Sequence, residues 1–211
     1  MYVRGTVKGR LTIATKSDRN IYINGDLLYS CLGTTNAAQK TMLQNMAGGT
    51  ATAPSCTDSL GLIAGLNIGI VCGNAVSGFD TAVQYLSDGS IVSAATCASA
   101  NTDGSNRYLV GALMALGQCT QAVNAWCTGS GTQSGVITTE RWATGGNNAA
   151  GVIPNLFFYG SMASRYRPMF GVSNGNDGTA IRGLKKQFVF DASLRNRQPP
   201  YFLEPTNAQW E

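Results

Sequence analysis

Val3-Arg4-Gly5-Thr6-Val7-Lys8-Gly9-Arg10-Leu11-Thr12-Ile13-Ala14 is followed closely by Asn20-Ile21-Tyr22-Ile23-Asn24-Gly25-Asp26-Leu27. Both stretches alternate apolar and polar residues for a few positions and are then cut by Gly, Asn or Asp. Period-two alternation marks a half-buried strand, and such breaks mark turns. Strands this short, repeating about every 15–20 residues with no helix between them, suggest coils stacked into a β-solenoid. The expected fold is therefore all-β and β-helix-like, with short strands, long disulfide-closed loops and one short helix. Such a scaffold offers a long rigid surface, suited to display and binding more than to chemistry.

Working outward, Leu60–Val71 is a nearly continuous apolar run with Gly at 61, 65 and 69, too short to span a membrane and suited to a buried strand pair. Asn155-Leu156-Phe157-Phe158-Tyr159-Gly160 is the strongest aromatic strand, and Phe188-Val189-Phe190 reads as the last one. Ala37–Met46 could form a short helix inside an insertion at 30–58. Small, polar residues mark two further insertions, at 93–106 and 117–135. Residues 197–211 form a Pro-rich closing tail, which cannot pair as a central strand and is expected to lie across the solenoid and cover its end. The whole of 1–211 reads as a single domain.

Charged residues make up only 12% of the chain, against roughly 25% in an average domain. With 26 glycines and much Asn, Thr and Ser, this is the composition of a secreted or cell-surface β-protein. The six cysteines, Cys31, Cys56, Cys72, Cys97, Cys119 and Cys127, include no CxxC pair, and the chain has no His. A zinc site is thereby disfavoured, and three disulfides formed in an oxidising compartment are expected. Of the possible pairings, neighbours in sequence are favoured: Cys31 with Cys56, Cys72 with Cys97, Cys119 with Cys127. Each pair would close one loop.

The net charge of +4 is unevenly laid out. Arg4, Lys8, Arg10, Lys16 and Arg19 face only Asp18 in the first nineteen residues, and a second basic excess lies beyond residue 164. The middle is mildly acidic. Two basic ends on one face would make an anion-binding patch. The chain opens directly on strand pattern, and no apolar run reaches the length of a membrane span. Together with the cysteines, this reads as a processed part of a longer exported protein.

Four segments, "GTVKGRLTIATKSDRNIYINGDLLY", "DSLGLIAGLNIGIV", "LFFYGSMASRYRPMFG" and "FVFDASLRNRQPPYF", resemble in that order the β-solenoid region of bacterial type IV pilus-associated surface proteins, of the PilX-like and large minor-pilin-like kind. Pro168 and Phe190 depart from that pattern, where Gly and Tyr are usual, and a pilin N-terminal helix is absent. The resemblance implies a non-catalytic structural or adhesive role at the cell surface or pilus tip, with pilus subunits or a surface ligand as partners.

Arg165, Arg167 and Arg195 lie in sequence beside Tyr166, Phe190 and Tyr201, and Arg197, Lys185 and Lys186 are near. Arginines among aromatics suit phosphate contact and base stacking, so a DNA-uptake receptor is the first alternative. The competing reading is structural: Arg167 paired with Asp191, and Arg195 stacked on Tyr201 to fix the tail. Self-assembly into filaments through open strand edges is a second alternative. Asn174, Asn176 and Asp177 resemble a calcium loop but bring one carboxylate, so they read first as a turn. Without His, and with Asp58, Asp80, Asp88 and Asp103 scattered along the chain, no catalytic set is evident and no cofactor is expected.

Overall fold

The computed structural model describes residues 1–16, 19–70, 106–117, 135–139, 155–168, 170–173 and 180–202. Its strands are β1 (Tyr2–Val7), β2 (Arg10–Ala14), β3 (Ile21–Tyr29), β4 (Ser59–Ala64), β5 (Ile68–Ile70), β6 (Arg107–Ala115), β7 (Ile137–Thr139), β8 (Asn155–Ser164), β9 (Gly171–Ser173), β10 (Ala180–Gly183) and β11 (Lys185–Phe190). One α-helix among the described residues, α1 (Asn36–Ala47), follows β3. No helix among the described residues is long and apolar enough to cross a membrane.

The strands form two parallel sheets and one antiparallel pair. One sheet has four strands in the order β1-β3-β5-β7, the other five in the order β11-β8-β6-β4-β2, and β9 pairs with β10. Consecutive strands of the first half alternate between the two large sheets. Their facing sides bury Ile21, Ile23, Leu27, Leu60, Leu62, Leu109, Ile137 and Leu156 in one core.

The expected all-β solenoid of short coils is overturned by this arrangement, which is an α/β-like sandwich of a four- and a five-stranded sheet with a helix packed against both. Register shows why. Arg10 lies opposite Ser59, Gly61 opposite Ala112, and Gly111 opposite Gly160, far more than one short coil away. The Gly-spaced alternation marks where strands are, but not which strands are neighbours. Leu60–Val71 is likewise not one strand pair: β4 and β5 go to different sheets, separated by a break at Gly65-Leu66-Asn67.

The helix stands where the sequence placed one. Thr35 caps it, its hydroxyl oxygen accepting the Ala38 N–H at 3.2 Å, and its end is closed by the Gly48 N–H donating to the Gln44 carbonyl and the Gly49 N–H to that of Met46. Gln39, Leu43 and Met46, at i, i+4 and i+7, are its buried face. It packs against β3 of one sheet and β8 and β11 of the other. Polar groups fix the docking: Lys40 pairs with Asp26 of β3 at 2.5 Å, and Gln44 donates to the Tyr108 hydroxyl at 2.6 Å.

The described part of the closing tail is residues 197–202. It crosses the outer face of the five-stranded sheet, where Leu194 and Phe202 pack on Ala112, Met114 and Ile63. Arg10 and Thr12 of β2 donate to the carbonyls of Gln198 and Pro200. Gly61 of β4 makes room: a Cβ there would stand 2.6 Å from the Phe202 ring and 3.0 Å from Pro199.

The tightest approach between strands is Gly111 against Gly160. Gly111 has φ +127°, and a Cβ on Gly160 would lie 1.9 Å from the Gly111 carbonyl oxygen. Side chains there would push β6 and β8 apart at the middle of the sheet. Gly160→Ala is therefore expected to cost more than about 2 kcal/mol, the range of backbone clashes and core overpacking. A fall in the urea midpoint, measured at pH 7, checks this.

Candidate functional site

Asp58 stands just ahead of β4 and is 5% exposed. Its Oδ1 accepts the Gly9 N–H at 2.6 Å, and its Oδ2 accepts the Ser30 hydroxyl at 2.8 Å and the Cys31 N–H at 2.9 Å. Gly9 is the turn between β1 and β2, while Ser30 and Cys31 open the 3-10 turn after β3. One carboxylate thus ties three chain segments. Burial pushes its carboxyl up, but the donors from Gly9, Ser30 and Cys31 together hold it below the ordinary carboxylate range.

Beside it, Cys31 and Cys56 form a disulfide, with Cα atoms 5.5 Å apart. This is the pairing expected from sequence. The other four cysteines lie outside the described residues, as do Asn174, Asn176 and Asp177. The two sulfurs and the Asp58 carboxylate come within 4.8 Å of one another, but sulfurs joined to each other are not thiolate ligands. This cluster is a staple, not a metal centre.

A second carboxylate, Asp191, is 1% exposed and follows β11. Its Oδ1 accepts the Tyr159 hydroxyl at 2.9 Å, the Ser193 N–H at 2.9 Å and the Ser193 hydroxyl at 2.6 Å. The expected partner was Arg167, whose side chain is exposed on the far side of β8 in sequence. Burial drives the Tyr159 hydroxyl far above the ordinary tyrosine range, and the bond to Asp191 adds to the shift. Tyr29, fully buried, is raised likewise by burial, with the Leu60 N–H it accepts acting against the shift and the charges of Asp191 and Asp58 adding to it.

A pocket of about 350 Å3 opens over Tyr159 and Ser193 and is walled by Cys56, Phe190, Asn196 and Arg197. It holds the Ser193 hydroxyl beside the Asp191 carboxylate, whose Oδ1 takes all three donors, and the chain has no imidazole.

The basic residues read as a DNA contact divide between the two ends of the parallel pair β8 and β11, the four arginines beyond one end. Lys185 and Lys186 are exposed at the start of β11, whereas Arg195 and Arg197 follow its far end. Arg195 stands over the Phe190 ring at 5.4 Å rather than over Tyr201, and Arg197 donates to the Cys56 carbonyl at 3.4 Å. Arg165 covers Tyr166 at 5.8 Å. Tyr201 is 86% exposed, with φ +57°.

A larger opening than the pocket over Tyr159 and Ser193 lies at the edge strands β1 and β2. A groove of about 690 Å3 runs between them, with Arg4, Lys8 and Arg10 on its rim and Tyr2, Leu11 and Asn24 among its lining. Alternation in the sequence marks the strands but not the groove, because a groove belongs to the gap between sheets. Asp58 was also passed over as one of the scattered acids, and Asp191 was read only as a partner for Arg167. An Asp directly before a buried apolar run was the one available signal.

No protein-family model, no curated protein and no solved structure matches the chain.

The two kinds of buried titrating group fix the pH range of stability. Asp58 is depressed on folding, so its contribution is present above the unfolded value, 3.8, and is lost as pH falls through the folded one. Tyr29 and Tyr159 are raised, so theirs is present below 10.0 and lost as pH rises beyond it. Urea midpoints should be level between these limits and fall on either side. Asp58→Asn sets an amide NH2 against the donors it faces. It is expected to lower stability by about 2–4 kcal/mol and to flatten the acid limb.

Proposed function

We propose that this protein is a non-catalytic structural and adhesive module of an exported, surface-displayed assembly, of the type IV pilus-associated kind. The observation that carries the reading is the use to which buried polar chemistry is put. Asp58 and Asp191 spend their lone pairs on the chain's own donors, and Cys31 and Cys56 are joined. Buried polar groups used in this way support a structural role. The disulfide suits an oxidising compartment and stabilises by about 3 kcal/mol for its loop. The four segments that resemble pilus-associated proteins supply the more specific half of the reading.

The alternatives draw less support from the geometry. Of the arginines proposed to grip DNA, Arg195 and Arg197 are engaged with Phe190 and Cys56. Head-to-tail stacking would extend the five-stranded sheet by setting β11, with Lys185 and Lys186, against β2, with Arg10. Like charges would then face each other across the joint.

Intact cells of the source organism test the reading. An antibody against residues 1–211 should label unpermeabilised cells, and Cys31 and Cys56 should resist alkylation until reduced. A deletion strain should lose attachment to surfaces. Protein found only after lysis, with both thiols alkylated at once, would overturn the proposal.

A further inference from the structure

The edge strands β1 and β2 end both large sheets on the same side of the molecule. No strand among the described residues pairs with the far side of β2. Ser59 donates to the Gly9 carbonyl and Thr15 donates to the Ile63 carbonyl, so the odd residues of β2 face β4. In a parallel ladder the residues between them point the other way, which turns the N–H and C=O of Arg10, Thr12 and Ala14 to the open side. Such an edge is a template for a further strand.

Two more features of this edge point to an occupant. Leu11, on the core-facing side of β2 opposite Leu60, is 44% exposed where an interior strand would be covered. Asn24, at the groove and 9% exposed, has a buried Oδ1 with no hydrogen-bond partner. An acceptor so placed is costly unless a donor arrives. The rim then sets the charge of what arrives. Arg4 and Lys8 are exposed and have no acidic partner among the described residues.

We infer that the β1–β2 groove binds an extended acidic polypeptide segment of another protein, which adds a strand to β2. Its backbone completes the ladder at Arg10, Thr12 and Ala14. Alternate side chains cover Leu11, and carboxylates on the others meet Arg4 and Lys8, Arg10 being held by the Gln198 carbonyl. This is strand addition with charge setting the partner. A second copy of this chain fits poorly, since its opposite sheet edge is basic. The inference stands independently of where the protein is displayed.

Fluorescence anisotropy at 0.15 M salt tests it with the full chain and four labelled probes. These are acetyl-(Glu-Val)4-amide, acetyl-(Lys-Val)4-amide, acetyl-(Glu-Pro)4-amide and a twelve-residue oligothymidylate. The Glu-Val peptide should bind at least tenfold more tightly than each of the others, because proline keeps the charge but removes the ladder donors. Arg4→Glu with Lys8→Glu should weaken it at least tenfold while circular dichroism and the melting point stay unchanged. Amide resonances that shift on binding should fall within residues 2–14 and at Asn24.

Equal binding of the Glu-Pro peptide would reduce the site to unspecific charge. Tighter binding of the oligonucleotide would make it a nucleic-acid site. Either result, no binding of the Glu-Val peptide at millimolar concentration, or shifts confined to other strands would overturn the inference.

Discussion

The Asp58 carboxylate is the interaction on which the rest of this structure depends. It accepts from the turn that separates β1 and β2, from the 3-10 turn that ends β3, and it introduces β4. Those segments belong to both sheets, so one side chain sets how the two halves of the core meet. The Cys31–Cys56 disulfide reinforces the same point covalently. A buried charge is normally a liability, offset only where its lone pairs are filled. Here they are filled by donors that sequence-distant turns supply, which couples the fold of each to the others.

From that node the geometry runs in two directions. Toward β6 and β8, the stacked Gly111 and Gly160 let backbones approach more closely than any side chain would permit, and Tyr159 beyond them reaches Asp191. The Asp191 node fixes the start of the tail, whose Phe202 fills the space left by Gly61. Toward β1 and β2, nothing among the described residues continues the sheets. Order at one side and openness at the other make the edge, and not the buried carboxylates, the surface available for recognition.

Much of the local structure was legible in the sequence, and the assembly was not. Alternation located β1, β2, β3, β8 and β11, the capping pattern around Thr35 and Gly48 accompanies the expected helix, and neighbouring cysteines paired as 31 with 56. What failed was adjacency. A strand's period says which face is apolar, but partners such as Arg10 and Ser59 are chosen by distant register, which periodicity does not encode. The site suffered in the same way. Arg195 and Arg197 looked like free cations beside aromatics, yet Phe190 and the Cys56 carbonyl occupy them. Asp58 looked isolated because its three donors come from residues 9, 30 and 31.

The central claim, that the buried Asp58 carboxylate anchors the fold through its donors, is tested most directly by carbon-13 NMR of that carboxyl across an acid titration. Fully satisfied by its donors, it should stay ionised to below 3.8, the value of a free aspartate. A carboxyl that takes up its proton well above that value, toward neutrality, would be a poised acid rather than a structural anchor, and would contradict the account.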